Sequence, residues 1–295
     1  MTHQPAVRWT AKWIWVPDRP AAEPNSYAHF RKTFDLKTDP VQAAARISAD
    51  SRYMLYVNGR FICRGVPMCD PLYQYYDEVE IGRHLRPGRN VIAVLVHQYG
   101  VSTSTYQHGG RSGLLFEADI EGETIASDDS WRTHFDQSNT RDVPRICATH
   151  MLQGFQEHFD ARKAVDGWQE PEFDDSNWPT ASIITHGTNS TPPFDPWPSL
   201  VPRDIPHYFE EERPAETIAR IGEVTDASLP DNNDLSAKMQ AEPMRDLQHG
   251  AVETADAMIS WDDKYASVTQ TAPDSCPSVV IDFGREVTGM PRIDV

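Results

Sequence analysis

Hydrophobic and polar residues alternate with a period of two in several short runs of this chain, which is the pattern of β-strands. In the clearest example, residues 46–65, two such runs flank Asn58-Gly59. An Asn-Gly pair tolerates the positive φ angles of a two-residue turn, so these residues predict a β-hairpin. The turn predicts three cross-strand pairs: Val57 with Arg60, Tyr56 with Phe61, and Leu55 with Ile62. Because both faces are mostly apolar, we expect the hairpin to be a scaffold element inside a covered sheet.

Two further runs predict strands with different surroundings. Residues 90–98 are mostly apolar on both parities, which is typical of a strand at the centre of a sheet. In residues 29–36, by contrast, Phe30 and Phe34 share one parity, whereas Arg31 and Asp35 share the other. We expect that strand to be half-buried, with Arg31 on a face that is turned toward water.

Three tryptophans, Trp9, Trp13 and Trp15, lie close together near the start of the chain. Two roles fit this pattern, namely a stacking platform for sugars or closure of one end of a sandwich core. We favour the core role, because tryptophans are highly buried on average in folded proteins.

Two segments place acidic and hydroxyl-bearing residues directly before a tryptophan: DDSW at 128–131 and DDSNW at 174–178. Asp and Ser side chains fix turns by hydrogen-bonding the backbone two residues further on. Paired aspartates also suit Ca²⁺ binding or acid/base catalysis. We favour the turn, because it explains the serine and the tryptophan as well as the acids.

Residues 187–206 contain six prolines among polar residues, which predicts an extended segment with little strand. We therefore divide the chain into a first domain at 1–187, a linker at 188–206 and a second domain at 207–295. A short helix, broken at Pro243, is expected between residues 232 and 250. The chain ends inside an apolar strand pattern, so we expect the second domain to be truncated.

Composition and charge argue against several classes of function. The 295 residues carry a net charge of −17, whereas phosphate backbones are bound by clustered Lys and Arg, so we predict no nucleic-acid partner. The four cysteines show no CxxC spacing, and we predict no metal site and no cofactor. No apolar run has transmembrane length and no signal peptide is visible. We expect no membrane partner and a cytoplasmic location, or an extracytoplasmic one if a signal has been removed.

The order of several segments carries more information than any one of them. The chain contains, in order, WIW, YAHFRKTFDL, RISADSRYMLYVNG, YYDEVEI, LRPGRNVIAVLVHQYG, HFDARKAVDGWQEPEFDDSNW, LVPRDIP and VVIDFGREVTGMPRIDV. In this order they resemble the N-terminal region of bacterial α-L-rhamnosidases. The DAR, GW and FDDSNW elements are the most specific part. The resemblance covers nearly the whole chain except about residues 225–278.

The resemblance implies an all-β fold, with a galactose-binding-like jelly-roll β-sandwich followed by the beginning of a second β-sandwich. It also implies that the parent enzyme hydrolyses terminal α-L-rhamnosides with inversion, using acidic residues on a following (α/α)₆ barrel. This sequence has no run of amphipathic helices from which to build such a barrel. We therefore assign no catalytic residue and expect the chain alone to be inactive. The implied partners are a carbohydrate (a rhamnoside or another plant or bacterial glycan) and the C-terminal catalytic domain of the same protein.

A sugar site needs an aromatic surface for the C–H side of the ring and a few planar hydrogen-bonding side chains. Such residues cluster where predicted strands end, around the central strand. The candidate carbohydrate-binding residues are Tyr73, Tyr75, Asp77, His97, Tyr99 and Tyr106. Two alternatives remain open: a purely structural module in which these tyrosines only pack, and a free-standing lectin-like sugar-binding protein.

Overall fold

The computed structural model describes residues 7–39, 42–103, 106–143, 154–225, 245–247, 250–260, 262–272 and 275–289. The chain divides into two compact units, Met1–His207 and Tyr208–Val295. Strands dominate the described part of both units, as the sequence pattern predicts.

The first unit contains two sheets. The larger sheet consists of β1 (Ile14–Trp15), β3 (Ala43–Asp50), β6 (Gln74–Glu80), β8 (Gly113–Ile120), β9 (Glu123–Ala126), β11 (Ser182–Ile183) and β12 (Leu200–Pro202). Its strand order is β11-β1-β8-β3-β6-β12, and β9 pairs with β8. The smaller sheet consists of β2 (Ser26–Leu36), β4 (Arg52–Val57), β5 (Arg60–Gly65), β7 (Gly88–Gln98) and β10 (Arg132–Phe135).

The five-stranded sheet has the order β10-β2-β7-β4-β5, so the apolar strand β7 lies at its centre, as predicted. One buried cluster joins the two sheets, because it contains Leu55 and Val94 from the smaller sheet and Ile47 and Phe116 from the larger one. A core between two facing sheets is the defining feature of a β-sandwich. The predicted all-β sandwich fold is therefore confirmed.

The predicted hairpin forms between β4 and β5, with one error in its register. Asn58 and Gly59 adopt φ angles of 50° and 79°, as a tight two-residue turn requires. The pairs nearest the turn are as predicted, but Leu55 faces Cys63 instead of Ile62. A β-bulge is the reason, since it places one extra residue in β5 and shifts all later pairs. The hairpin is also only partly interior, because β5 is an edge strand.

The three N-terminal tryptophans are core residues. Trp13 is fully buried, and Trp9 and Trp15 are each 5% exposed. The ring of Trp13 stacks on Trp197, with ring centroids 3.9 Å apart. The core role favoured from the sequence is confirmed, and none of these rings offers a face to a ligand from solvent.

Both acidic turns before a tryptophan form as predicted. A carboxylate oxygen of Asp128 accepts a hydrogen bond from the Ser130 amide at 2.9 Å. Asp174 accepts one from the Ser176 amide at 3.0 Å. The following tryptophans, at 131 and 178, are buried in two different apolar clusters.

The proline-rich segment 188–206 packs against the first unit instead of acting as a free linker. Phe194 and Trp197 are buried in the core of that unit. The strand β12 pairs in parallel with β6, with Leu200 opposite Gln74. The prolines do not prevent this pairing, because β12 lies at the edge of the sheet, where proline is tolerated.

In the second unit, the described residues form two small antiparallel sheets. The strands are β13 (Thr217–Thr225), β14 (Arg245–Asp246), β15 (Val252–Glu253), β16 (Ser267–Val268) and β17 (Ser275–Asp282). The first sheet has the order β14-β13-β17, and the second pairs β15 with β16. Most of the short helix predicted between residues 232 and 250 lies outside the described residues. That this unit is a second β-sandwich stays a prediction.

Helical structure in the described ranges is limited to four short 3-10 helices: Pro71–Tyr73, Gly82–His84, Ala161–Lys163 and Ala255–Met258. Within those ranges, none of the helices has the length and apolar character needed to cross a membrane.

Candidate functional site

The outer face of the five-stranded sheet carries most of the polar and aromatic residues of the site. In the pairing of β2 with β7, Tyr27 lies opposite His97, and Arg31 lies opposite Ala93. Side chains alternate along a strand, so residues of this parity share one face. The opposite parity, which includes Phe30, belongs to the core between the sheets. We call the face that carries Tyr27 and Arg31 the outer face.

One end of the outer face is closed by residues 168–178. Arg31 is fully buried there, and its Nε donates to Asp175 at 2.8 Å. The guanidinium also donates to the backbone carbonyl oxygens of Trp168 and Glu170. The expectation that Arg31 faces water is therefore wrong, because a distant segment covers its side of the strand and supplies acceptors for its charge.

The other end of the outer face holds a pocket of about 250 Å³. Its lining combines apolar and planar polar side chains: His29, Leu95, Asp136, Ser138, Asn139, Phe159, Ala164, Val165, Asp166, Trp168 and Gln169, together with Gly167. The Phe159 side chain is 54% exposed, whereas Trp168 is 6% exposed. The pocket therefore has an accessible aromatic rim and a buried aromatic base.

A buried His–Asp pair forms the polar part of the pocket. Nε2 of His29 lies 2.8 Å from Oδ2 of Asp136. The other oxygen of Asp136 accepts hydrogen bonds from the amide and hydroxyl of Ser138, both at 2.7 Å, and from the Asn139 amide at 3.0 Å. Burial raises the pKa of Asp136, but the hydrogen bonds from His29 and Ser138 outweigh it and hold this pKa well below its usual value. Nδ1 of His29 is buried and has no partner among the described residues.

A row of rings lies at the same end of the outer face as the pocket. The rings of Tyr27 and His97 stack at 3.9 Å, and the Tyr99 ring packs edge-on against His97 at 4.8 Å. Tyr99 in turn contacts Tyr106 at 5.3 Å. Burial, and after it the charge of Arg52, lowers the pKa of His97 to about 3. His97 is therefore neutral at pH 7 and acts as a hydrogen-bonding group, not as a charge.

Tyr106 supports this region from below the surface. It is 1% exposed, and its hydroxyl donates to Oδ1 of Asp50 at 2.5 Å. The same carboxylate binds Nδ1 of His108 at 3.1 Å and the Gly109 amide at 3.1 Å. Burial, followed by the charge of Asp50, raises the pKa of Tyr106 well above its usual value. Tyr106 thus anchors the loop at residues 106–109 and offers no free face to a ligand.

The other three predicted site residues belong to a different group on and next to β6. Asp77 is fully buried, accepts a hydrogen bond from the Tyr53 hydroxyl and lies 3.0 Å from Nε of Arg203. Burial raises the pKa of Asp77, against the opposing effects of Tyr53 and Arg203. Tyr75 donates to Asp204 at 2.8 Å, and Tyr73 is 61% exposed. The six predicted carbohydrate-binding residues therefore form two separate groups. Asp77 is also too deeply buried to contact solvent.

Comparison with known proteins identifies the family. The family model described as "Alpha-L-rhamnosidase N-terminal domain" matches residues 38–196, which is more than half of the chain. The chain belongs to this family. The resemblance expected from the order of sequence segments is confirmed.

Individual rhamnosidases agree with this assignment. An α-L-rhamnosidase of Streptomyces avermitilis is 28% identical over 187 residues, which are 62% of this chain and 15% of that protein. The crystal structure of a GH78 family rhamnosidase of Bacillus sp. GL1 superposes with a TM-score of 0.67 and 40% identity, over 75% of this chain and 22% of that one. The α-L-rhamnosidase of Aspergillus terreus, at 17% identity and a TM-score of 0.51 over 76% of this chain and 29% of its own, shares the fold. The chain thus spans less than a quarter of the two bacterial relatives.

In this rhamnosidase N-terminal domain, sequence reasoning missed the pocket itself. The parity of β2 places His29 on the face of Arg31, which the sequence pattern predicts to face water. Asp136 and Phe159 lie in irregular segments that follow no hydrophobic period. The signal that the sequence offers is the Gly167-Trp168 pair, which belongs to the segments that carry the family resemblance.

The Asp136 carboxylate is poorly suited to act as a general base. A general base works best when its pKa lies near the operating pH, whereas that of Asp136 is far below it. Across the described ranges, no group of three or more His, Cys, Asp or Glu side chains is arranged to hold a metal ion. The rhamnosidase N-terminal domain therefore presents a hydrogen-bonding pocket with aromatic walls.

Proposed function

We propose that this chain is the carbohydrate-binding and supporting N-terminal region of an α-L-rhamnosidase. The parent enzyme would hydrolyse terminal α-L-rhamnosides with inversion, and its catalytic domain would be the chain's partner within the same protein. Support for this comes from the family and from the share of the relatives that the chain spans, less than a quarter of each bacterial one. The chain alone is expected to hydrolyse no glycoside, and its cytoplasmic location stays a prediction.

The pocket at the His29 end of the outer face carries the sugar-binding part of the proposal. A monosaccharide has an apolar C–H surface and a rim of hydroxyl groups, so it is bound by aromatic faces beside planar polar groups. Phe159 and Trp168 supply the aromatic component, and Asn139 and Gln169 supply planar amides. At about 250 Å³, the pocket suits a single sugar ring better than an extended glycan.

One observation favours a second candidate, a purely structural role. Asp136 already receives hydrogen bonds from His29, Ser138 and Asn139, so its carboxylate has little remaining capacity for a ligand. In that case the pair would only fasten residues 136–139 to β2. The two roles differ in whether changes at the pocket rim affect ligand binding without changing stability.

The test is a titration of the full chain with L-rhamnose and methyl α-L-rhamnoside, followed by amide chemical shifts in NMR. We expect saturable shifts at the pocket, and Phe159→Ala and Asn139→Ala are each expected to weaken binding about fivefold. Phe61→Ala serves as a matched control, because Phe61 is 40% exposed on the edge strand β5 and does not line the pocket. The control is expected to bind like the unaltered chain.

Two results would contradict the carbohydrate-binding role. One is an absence of saturable shifts with either sugar, which would leave the structural role. The other is equal weakening by Phe61→Ala and Phe159→Ala, which would show that the effect is not local to the pocket. Cleavage of an aryl rhamnoside by the purified chain would contradict the expectation that it lacks activity by itself.

A further inference from the structure

A second cavity, in the first unit but separate from the pocket next to His29, has a concentrated positive charge. It measures about 540 Å³ and is lined by Asn58, Arg60, Arg83, His84 and Arg86. We call it the arginine cleft. The chain as a whole has a net charge of −17. Three arginines around one cavity therefore form a positively charged site on a protein that is negatively charged overall.

Hydrogen bonds hold the walls of the arginine cleft in place. The side-chain nitrogen Nδ2 of Asn58 donates to the backbone carbonyl of His84 and to Oδ1 of Asn90, both at 2.8 Å. Asn90 accepts from the backbone amide of Arg86 at 3.0 Å and donates to the Arg86 carbonyl at 2.7 Å. The hairpin turn and the segment that carries the arginines are thus joined into one frame, which fixes the backbone positions of the charged side chains.

The positive charge of the cleft is only weakly neutralised by the protein. Arg86 lies 3.3 Å from Glu172, and these side chains are 56% and 74% exposed. Such an exposed ion pair is easily exchanged for a ligand. Arg83 donates to Nε2 of His84 at 2.9 Å. Within the described part of the chain, no carboxylate pairs with Arg60.

His84 is a neutral member of the cleft. The hydrogen bond from Arg83 occupies a ring nitrogen that must therefore be an acceptor. Burial, and then the charges of Arg83 and Arg60, lowers the pKa of His84. The cleft thus combines three positively charged arginine side chains with the neutral polar groups of Asn58 and His84.

We propose that the arginine cleft binds the carboxylate of an acidic saccharide, such as a uronic acid residue of a glycan. The guanidinium fork matches a planar carboxylate in two parallel hydrogen bonds. A cavity of this size is larger than a carboxylate alone and leaves room for the attached sugar ring. The prediction that the ligand is a saccharide rests on the carbohydrate-binding function proposed above. The prediction that it is an anion rests on the three arginines.

The test compares D-glucuronate with D-glucose, which differ in having a carboxylate or a hydroxymethyl group on the same ring. Both are titrated into the full chain at constant ionic strength, and the arginine Nε–H and amide signals are followed by NMR. Glucuronate is expected to cause saturable shifts at Arg60, Arg83 and Arg86, and glucose none. Sodium acetate is expected to bind about tenfold more weakly than glucuronate, because it lacks the ring.

Three single substitutions locate the site. Arg60→Gln and Arg83→Gln are each expected to weaken glucuronate binding about fivefold. Arg89→Gln is the matched control, since Arg89 is exposed, lies only three residues beyond Arg86 and does not line the cleft. If only the general charge mattered, all three would weaken binding equally, and that result would overturn the proposal.

Two other outcomes would also overturn it: equal titration by glucose and glucuronate, and acetate binding as tight as glucuronate binding, which would leave a site for small anions only. The result of this test can be distinguished from the result of the L-rhamnose test at the pocket next to His29. Arg60→Gln is expected to leave the L-rhamnose titration unchanged, and Asn139→Ala to leave the glucuronate titration unchanged. A failed rhamnose titration with a successful glucuronate titration would remove the pocket assignment and keep the cleft.

Discussion

The two ends of the outer face are formed by the same strands, yet one is closed and the other is open. Arg31 and His29 are two residues apart on β2 and point to the same side of the sheet. Around Arg31, residues 168–178 leave no space, whereas next to His29 they leave a pocket. The sheet therefore fixes where a polar side chain lies, and the covering segment decides whether it serves the fold or remains available to a ligand.

Hydrogen bonding follows the same division. At the closed end, the Arg31 guanidinium donates to a carboxylate and to backbone carbonyls. At the open end, His29 has one nitrogen paired with Asp136 and the other without a partner in the described structure. Buried polar groups are normally satisfied. Because His29 lines the pocket, a ligand bound there under our proposal would supply the partner that this nitrogen lacks.

The closed end should respond most strongly to mutation. Arg31→Met removes a buried cation and leaves the Asp175 carboxylate and three backbone carbonyls without their donor. We expect the free energy of unfolding to fall by about 3 kcal/mol, measured by urea denaturation. Arg89→Met, at an exposed position, should change it by less than ~0.5 kcal/mol. Equal effects of the two substitutions would mean that Arg31 is not a structural cation.

A smaller loss of stability is expected from replacing one of two phenylalanines, which lie at the closed and the open end of the face. Phe173 packs on Trp178 and lies under the Arg31 guanidinium at the closed end, whereas Phe159 forms the exposed rim of the pocket. Phe173→Ala should cost about 2 kcal/mol in denaturant unfolding, because it leaves a cavity. Phe159→Ala should cost less than ~0.5 kcal/mol. A large loss of stability from Phe159→Ala would favour the structural role for the pocket.

The smallest expected effect depends on pH. His97 has its pKa lowered from 6.5 to about 3 in the folded state, so on acidification the unfolded state takes up the proton first. Its contribution to stability is therefore complete above pH 6.5 and is lost progressively as the pH falls from 6.5 toward 3. Between pH 7 and pH 5.5, the unaltered chain should lose about 1.3 kcal/mol more than His97→Gln does. Parallel stability curves for the two proteins would show that His97 titrates normally.

Local signals in the sequence were sufficient for the elements that depend on neighbouring residues. Asn58-Gly59 marks the hairpin because only a few residues tolerate its φ angles. The position of β7 follows from apolar residues on both of its faces. The two acidic turns follow from side chains that bond the backbone two residues away.

Features that depend on distant residues could not be predicted in this way. Asp175, which pairs with Arg31, lies 144 residues further along the chain. The pocket needs β2, residues 136–139 and residues 159–169 together, and no period links these segments. The register error at Leu55 has a different cause, since a bulge of one residue leaves no mark on the hydrophobic pattern.

The stack of Trp13 on Trp197 also determines how this protein can be shortened for expression or crystallisation. A version that stops at residue 187 would lose β12 and Trp197, which would uncover an indole ring and turn β6 into a bare sheet edge. Such edges promote association between molecules. A well-behaved sample of the first unit must therefore include the proline-rich segment and extend to His207.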